Sequence, residues 1–175
     1  SKAALAMYDD AARIFAALIK ELAERRKKFS AAIDEKADPD LAAQRDRVRT
    51  DYLQAQTFAA ATQEEKAFAF DAGSKEQIDA LTKASDGYKG VYEEYRTRMA
   101  GLYSRMYQGR CQHKLGKFKE ASAIFTHLLD NPDTPEFRPL RLKVMPLAVE
   151  SWFAQQLYPG RITDTKGDQV NTWFP

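Results

Sequence analysis

The chain has 175 residues, with 27 Lys and Arg against 25 Asp and Glu and a formal net charge of +2. That length allows one domain or one elongated array with a sizeable core. The near balance of charge excludes a protein that holds nucleic acid mainly through overall positive charge. A single cysteine, Cys111, excludes an internal disulfide and a metal site built from several cysteines. No run of about 18 apolar residues is present, so we expect no membrane span.

Composition and periodicity predict an all-α protein. The chain has only 8 Gly and 7 Pro, it is rich in strong helix formers, and no segment alternates β-branched residues as a strand would. The helical spacing of apolar residues, interrupted by Gly, Pro and capping residues, predicts six helices, over residues 2–33, 40–70, 75–95, 98–115, 118–130 and 137–158.

Local signals predict several helix ends. Gly73 suits the left-handed conformation that closes a helix, and Ser74 is a cap for the next one. Ser74 and Gln77 have the spacing of a capping box. Pro146 lies inside the last predicted helix and should kink it, unless a new helix begins there.

Three predicted helices share one pattern, in which a small residue is followed four positions later by an aromatic residue and then by two large apolar residues. Its copies are Ala11, Phe15, Leu18 and Ile19; Ala84, Tyr88, Val91 and Tyr92; and Ala121, Phe125, Leu128 and Leu129. Such patterns also arise by chance in amphipathic helices. The second and third copies are 37 residues apart, and an interval of that size favours an internal repeat.

The segment MYQGRCQHKLGKFKEASAIFTHLLDNP, residues 106–132, resembles a tetratricopeptide repeat (TPR), a helix-turn-helix unit of about 34 residues. The matching motif positions are Gly109 and Cys111 in the first helix, Gly116 and Phe118 at the turn, and Ala121, Phe125 and Pro132 in the second half. Arg105 and Gln108 depart from the family, which prefers Trp and Leu at those positions.

The resemblance implies antiparallel helix hairpins stacked as a short right-handed array. The resemblance is clear over about residues 103–132, within a best-matching repeat at 102–133, and a divergent repeat would span about 41–96. The helical domain would then cover residues 1–158, and residues 159–175 would form an irregular tail. Gly109 would then lie where the two helices of a hairpin pack closely. We expect Gly109→Leu to destabilise the fold by about 1–3 kcal/mol through overpacking.

The polar residues indicate no catalytic centre. His113 and His127 are the only histidines, and a zinc site would need further ligands. Cys111 falls at a helix-contact position, where a buried thiol is inert. Neighbouring carboxylates such as Glu64 and Glu65 point about 100° apart on a helix and are expected on solvated faces. We therefore expect no enzymatic activity, no cofactor and no metal.

The resemblance also implies a partner-binding face on the first helix of each hairpin. Its ligand-facing positions correspond here to Tyr103, Met106, Arg110, His113 and Lys114. These residues share one helical face, whose cations suit a peptide with acidic groups or a free carboxylate. The alternative is that the sixth helix or the tail, with Trp173 and Phe174, fills the groove.

The sequence therefore predicts a non-catalytic protein–protein interaction scaffold that binds a protein or peptide segment on a concave groove. We expect Arg110→Glu with Lys114→Glu to weaken a peptide partner and to leave thermal stability nearly unchanged. Two alternatives stay open. The basic runs at 25–28 and 45–49 could bind nucleic acid or another anionic surface, although no specific nucleic acid is expected. The chain could also be a purely structural module of a larger protein. The sequence indicates neither a compartment nor an oligomeric state.

Overall fold

The computed structural model describes residues 2–29 and 33–157, and this part of the chain is all-α, without strands. Its six helices are α1 (Lys2–Lys27), α2 (Pro39–Ala67), α3 (Lys75–Glu94), α4 (Met99–Lys114), α5 (Phe118–Leu129) and α6 (Arg138–Leu157). All six predicted helices are confirmed, although α1 ends at Lys27 rather than at residue 33. The predicted tail over 159–175 lies outside the described residues.

The helix ends follow the local signals in the sequence. Gly73 has a φ of 76°, the left-handed conformation that glycine adopts without steric strain. The Ser74 hydroxyl accepts a hydrogen bond from the Gln77 N–H at 3.2 Å and caps α3. In a capping box the Gln77 side chain would accept a hydrogen bond from the backbone N–H of Ser74. Here Gln77 Oε1 accepts at 2.8 Å from the N–H of Gly73, one residue earlier. No new helix begins at Pro146, since α6 continues through it.

The helices form two layers stacked in chain order. Each helix packs against the next along the chain, and α4 also contacts α6. Other contacts join alternate helices: Arg26 with Glu94, Tyr92 with His127, and Glu64 with Arg110. One layer therefore contains α1, α3 and α5, and the other contains α2, α4 and α6. None of the helices in the described residues has the length and apolar character that a membrane crossing requires.

The repeated pattern occupies equivalent buried positions in two helices of the first layer. Ala84, Tyr88 and Val91 are buried in α3, and Ala121, Phe125 and Leu128 are buried in α5. The copy in α1 is more exposed, and Leu22 is the buried residue of that helix. The difference follows from position, because α1 lies at one end of the array and has no further helix of the described residues on its outer side.

Close helix crossings occur at two small residues. A Cβ atom at Gly109 would lie 2.6 Å from Phe125 Cε1 and 3.0 Å from Ile124 Cγ2. The predicted close packing of the α4–α5 hairpin is thus present, and the ring that Gly109 faces is that of Phe125. In the α2–α3 hairpin, a Cβ atom at Gly87 would lie 2.9 Å from the Cβ of Ala60. No local sequence signal predicts this contact at Gly87.

Candidate interaction site

A buried carboxylate joins α2, α3 and α4. Glu64 is 1% exposed. Arg110 Nε and Nη2 donate to its two oxygens at 2.8 Å each, and Lys114 Nζ donates at 2.8 Å. The Tyr88 hydroxyl donates to the same group at 3.1 Å. The bidentate arginine pair is a strong, geometrically specific arrangement. The expectation that Glu64 lies on a solvated face was wrong, since three partners satisfy it inside the fold.

The network determines the ionisation of its members. Burial by itself would raise the pKa of Glu64, but the hydrogen bonds and charges of Arg110 and Lys114 outweigh burial and hold that pKa below its usual value. Burial and the neighbouring carboxylate raise the pKa of the Tyr88 hydroxyl. Glu64 is therefore ionised near neutral pH while Tyr88 keeps the proton that it donates.

Two of the five predicted partner-binding residues pack against the core of α4, α5 and α6. Met106 is only 3% exposed, within the buried cluster. Tyr103 is half-buried, and Lys143 Nζ lies 5.4 Å from its ring centroid. Met106 thus offers almost no surface to a ligand in this conformation, and the ring of Tyr103 is partly covered.

His113 faces α6. Its Nδ1 lies 2.8 Å from the hydroxyl oxygen of Ser151, and its ring contacts Phe118 edge-on at 5.1 Å between centroids. Burial lowers the pKa of His113, while the charge of Glu150 opposes that effect. The ring is therefore neutral at pH 7 and contributes no positive charge to the predicted binding face.

Arg110 and Lys114 reach the surface above Glu64. Their side chains are 35% and 27% exposed, respectively. The guanidinium carbon of Arg110 lies 4.7 Å from the ring centroid of Tyr107, and Lys114 Nζ lies 4.3 Å from that of Phe68. Phe68 itself is 62% exposed. We call these four residues the cation–aromatic row.

The sequence predicts the two cations of this row as binding residues, but it predicts neither its two aromatic residues nor the buried Glu64 beneath them. Arg110 and Glu64 are separated by 46 residues, so no local spacing in the sequence predicts that they pair. The pairing changes the expectation for the double charge reversal. Glutamates at positions 110 and 114 would surround the buried carboxylate with like charge, so this substitution would test stability together with binding.

The structure brings the two basic runs together. Arg26, Lys27, Arg45 and Arg49 line one open cleft of about 410 Å³ between the end of α1 and the start of α2. Their charges are compensated nearby, in the pairs Arg26–Glu94 at 2.8 Å, Lys27–Glu24 at 2.6 Å, Arg45–Glu35 at 2.8 Å and Arg49–Asp46 at 3.7 Å. An anionic ligand would have to compete with these carboxylates.

Cys111 and the possible metal ligands are the residues with a capacity for nucleophilic or metal chemistry. Cys111 is buried in the α2–α3–α4 cluster, as expected, and burial raises its pKa to about 12, so the thiol is a poor nucleophile. Within residues 2–29 and 33–157, no three His, Cys, Asp or Glu side chains are grouped to hold a metal ion.

Comparisons of the chain with protein-family models, with curated proteins and with solved structures found no match.

Proposed function

We propose that this protein is a non-catalytic interaction scaffold, a short TPR-like helical array that binds an acidic peptide or protein segment on the layer of α2, α4 and α6. The observation that carries the proposal is the cation–aromatic row. Arg110 and Lys114 carry two positive charges against the single negative charge of Glu64. The row therefore has an excess of one positive charge beside an exposed aromatic ring.

The row has hydrogen-bonding capacity beyond the Glu64 network. A guanidinium carries five N–H donors and an ammonium carries three. Glu64 accepts from two nitrogens of Arg110 and from one nitrogen of Lys114. A ligand carboxylate can therefore accept charge-assisted hydrogen bonds from cations that the fold already holds in place. Because the cations are pre-positioned, less side-chain entropy is lost on binding.

Selection of peptides from a random library on the purified protein tests this proposal. We expect enriched peptides to carry carboxylates beside an apolar side chain, and their affinity to fall with added salt. Phe68→Ser should weaken binding about tenfold, since an aromatic anchor contributes more than about 1 kcal/mol. Phe68 is largely exposed, so this change leaves the fold intact.

Ile14→Ser is the matched control, because Ile14 is similarly exposed but lies on α1, in the other layer. Selected peptides should bind this variant as they bind the wild type. Peptides without acidic groups, or peptides that bind Phe68→Ser normally, would contradict the proposed site.

A second candidate function is binding of a phosphate-bearing polyanion at the basic cleft. Convergence of the two basic runs on one cleft favours it, and the four neighbouring ion pairs disfavour it. Binding of an unstructured oligonucleotide should then fall steeply with salt and weaken in Arg49→Gln. Salt-insensitive or undetectable binding would remove this candidate and leave the peptide scaffold or a purely structural module.

A further inference from the structure

Arg105 is a half-buried cation without a counter-ion among the described residues. Its Nη1 donates to the side chain of Gln108 at 2.6 Å, and that amide is a neutral acceptor. Its Nε is enclosed and has no hydrogen-bond partner in the described part of the chain. A charge that is withdrawn from water without an opposite charge is costly to a fold. Stability therefore does not explain why an arginine occupies this position.

Arg105 and Gln108 are the two residues that depart from the TPR pattern, which prefers Trp and Leu at these positions. Gln108 is only 6% exposed, and the two side chains bind each other. The two departures thus form one polar pair where the resemblance implies apolar packing. A local exception that brings no evident gain in stability is typical of a functional site.

The ring of Tyr92 collects three further groups around this pair. The guanidinium carbon of Arg105 lies 4.9 Å from the Tyr92 ring centroid, and that of Arg96 lies 5.8 Å from it. The ring of His127 packs edge-on against the same tyrosine, with 6.4 Å between centroids. Arg96 and His127 are exposed, so solvent reaches this place. We call Tyr92, Arg96, Arg105 and His127 the Tyr92 cluster.

The Tyr92 cluster carries two positive charges that no carboxylate of residues 2–29 and 33–157 pairs with. Glu93 acts on Arg105 through its charge, but its carboxylate is paired with Lys89 at 3.8 Å. Burial lowers the pKa of Arg105, and the like charge of Arg96 adds to that effect, while Tyr92 and Glu93 oppose it. Two like charges that a fold brings together in this way favour a bound anion.

A phosphate group fits the charge and the donors of the cluster. Guanidinium groups present forked N–H donors that match phosphate oxygens. A phosphate monoester carries a charge of about −1.5 to −2 near neutral pH, which balances two arginines, whereas a carboxylate would balance only one. The Tyr92 ring holds Arg105 in position without neutralising its charge, so less side-chain entropy is lost on binding.

We propose that the Tyr92 cluster binds a dianionic phosphate group through Arg96 and Arg105, with a ring N–H of His127 as a third donor. Free phosphate and the phosphorylated side chain of a partner present the same oxygens to these donors. The cluster shares no residue with the cation–aromatic row or with the basic cleft, so it does not depend on the peptide-binding proposal.

An NMR titration of the full chain tests the site, and the enclosed Nε–H of Arg105 is its direct reporter. The probes are inorganic phosphate, acetate, and a glycine–phosphoserine–glycine tripeptide with its unphosphorylated form. We expect the two phosphate probes to bind at least about tenfold more tightly than the other two. Arg105→Gln and Arg96→Gln should each weaken phosphate binding at least about tenfold, because each removes one charge-assisted contact.

Arg98→Gln is the matched control. Arg98 lies two residues from Arg96 and is also exposed, but its charge acts on Asp46 of α2. This variant, and Arg49→Gln in the basic cleft, should bind phosphate as the wild type does. Absence of phosphate binding overturns the proposal, and so does acetate binding of equal strength. A loss in either control as large as that in Arg105→Gln would also overturn it.

Arg105→Leu separates binding from a structural role. In phosphate-free buffer its Tm should equal or exceed that of the wild type, because the change removes a half-buried charge without a counter-ion. Phosphate should raise the Tm of the wild type and leave that of the variant unchanged. A phosphate-induced rise that persists in Arg105→Leu would contradict the site. Tighter binding of the phosphorylated tripeptide than of inorganic phosphate would favour a phosphorylated partner, and the reverse would favour the free ion; either result supports the proposal.

Discussion

Individual glycines in this fold have different roles that the sequence alone does not distinguish. Gly87 and Gly90 lie three residues apart in α3, yet a Cβ atom at Gly87 would press on Ala60 while one at Gly90 would meet nothing within 4 Å. Gly109 lies against the buried ring of Phe125. The TPR resemblance singled out Gly109 because it falls within the clear motif, whereas Gly87 lies in the divergent half and has no such signal.

The first prediction separates contact glycines from free ones. Gly109→Ala should lower the free energy of unfolding by about 1–3 kcal/mol, because the new Cβ atom would lie 2.6 Å from the fully buried ring of Phe125. Gly90→Ala should raise it by about 0.4–1 kcal/mol, because alanine reduces the entropy of the unfolded chain. Urea denaturation of both variants measures the difference. Equal effects would mean that α4 and α5 do not cross closely at Gly109.

At the scale of helices, the hairpins were predictable from the sequence but their lateral contacts were not. Periodicity and caps define the helix bounds locally. The contacts between alternate helices depend on hairpin length, which differs along the chain. Arg110 pairs with Glu64 across 46 residues, whereas the equivalent positions in α3 and α5 are 37 residues apart. One constant interval therefore predicts the relationship between α3 and α5 but not the pairing of α2 with α4.

The second prediction concerns the Glu64 network that joins α2, α3 and α4. The folded pKa of Glu64 lies below its unfolded value, so the unfolded chain binds more protons in the interval between the two. The network's stabilisation is therefore complete above about pH 5 and is lost as the pH falls through the unfolded pKa of about 4.3 towards the folded pKa.

Glu64→Gln should lower the free energy of unfolding by about 1–3 kcal/mol at pH 7. That loss should shrink as the pH falls below about 5, where the wild-type carboxylate itself progressively becomes protonated. Glu65→Gln is the matched control, because Glu65 is the exposed neighbour, and it should have little effect. Thermal denaturation across this pH range measures both variants. A Glu64→Gln loss independent of pH would contradict the ionised network.

For the molecule as a whole, the buried fraction of the helices increases from α1 to α5 and falls again in α6. Of the 26 residues of α1, Leu22 is the buried one, whereas five of the 12 residues of α5 are buried. In a stacked array each element is stabilised mainly by its neighbours, so an end helix with little buried surface opens at low free energy. The sequence could not predict this gradient, because α1 carries the same apolar pattern as α3 and α5.

The third prediction is a gradient of amide hydrogen exchange. Backbone amides of α5 should exchange only through global unfolding, and amides of α1 should exchange at least about a hundredfold faster through local opening. Measurement by mass spectrometry over minutes to hours resolves the two helices. Uniform protection would show that the array unfolds as one unit.

The Glu64 network has a consequence for how this surface can change during evolution. Arg110 and Lys114 neutralise a buried carboxylate and are also the cations that we propose bind a ligand. A mutation that alters either cation to suit a new ligand therefore also destabilises the fold. Phe68, which is not part of that network, can vary at much lower risk. Divergence of specificity in this lineage should accordingly concentrate at the aromatic positions, while the charges persist for reasons of folding.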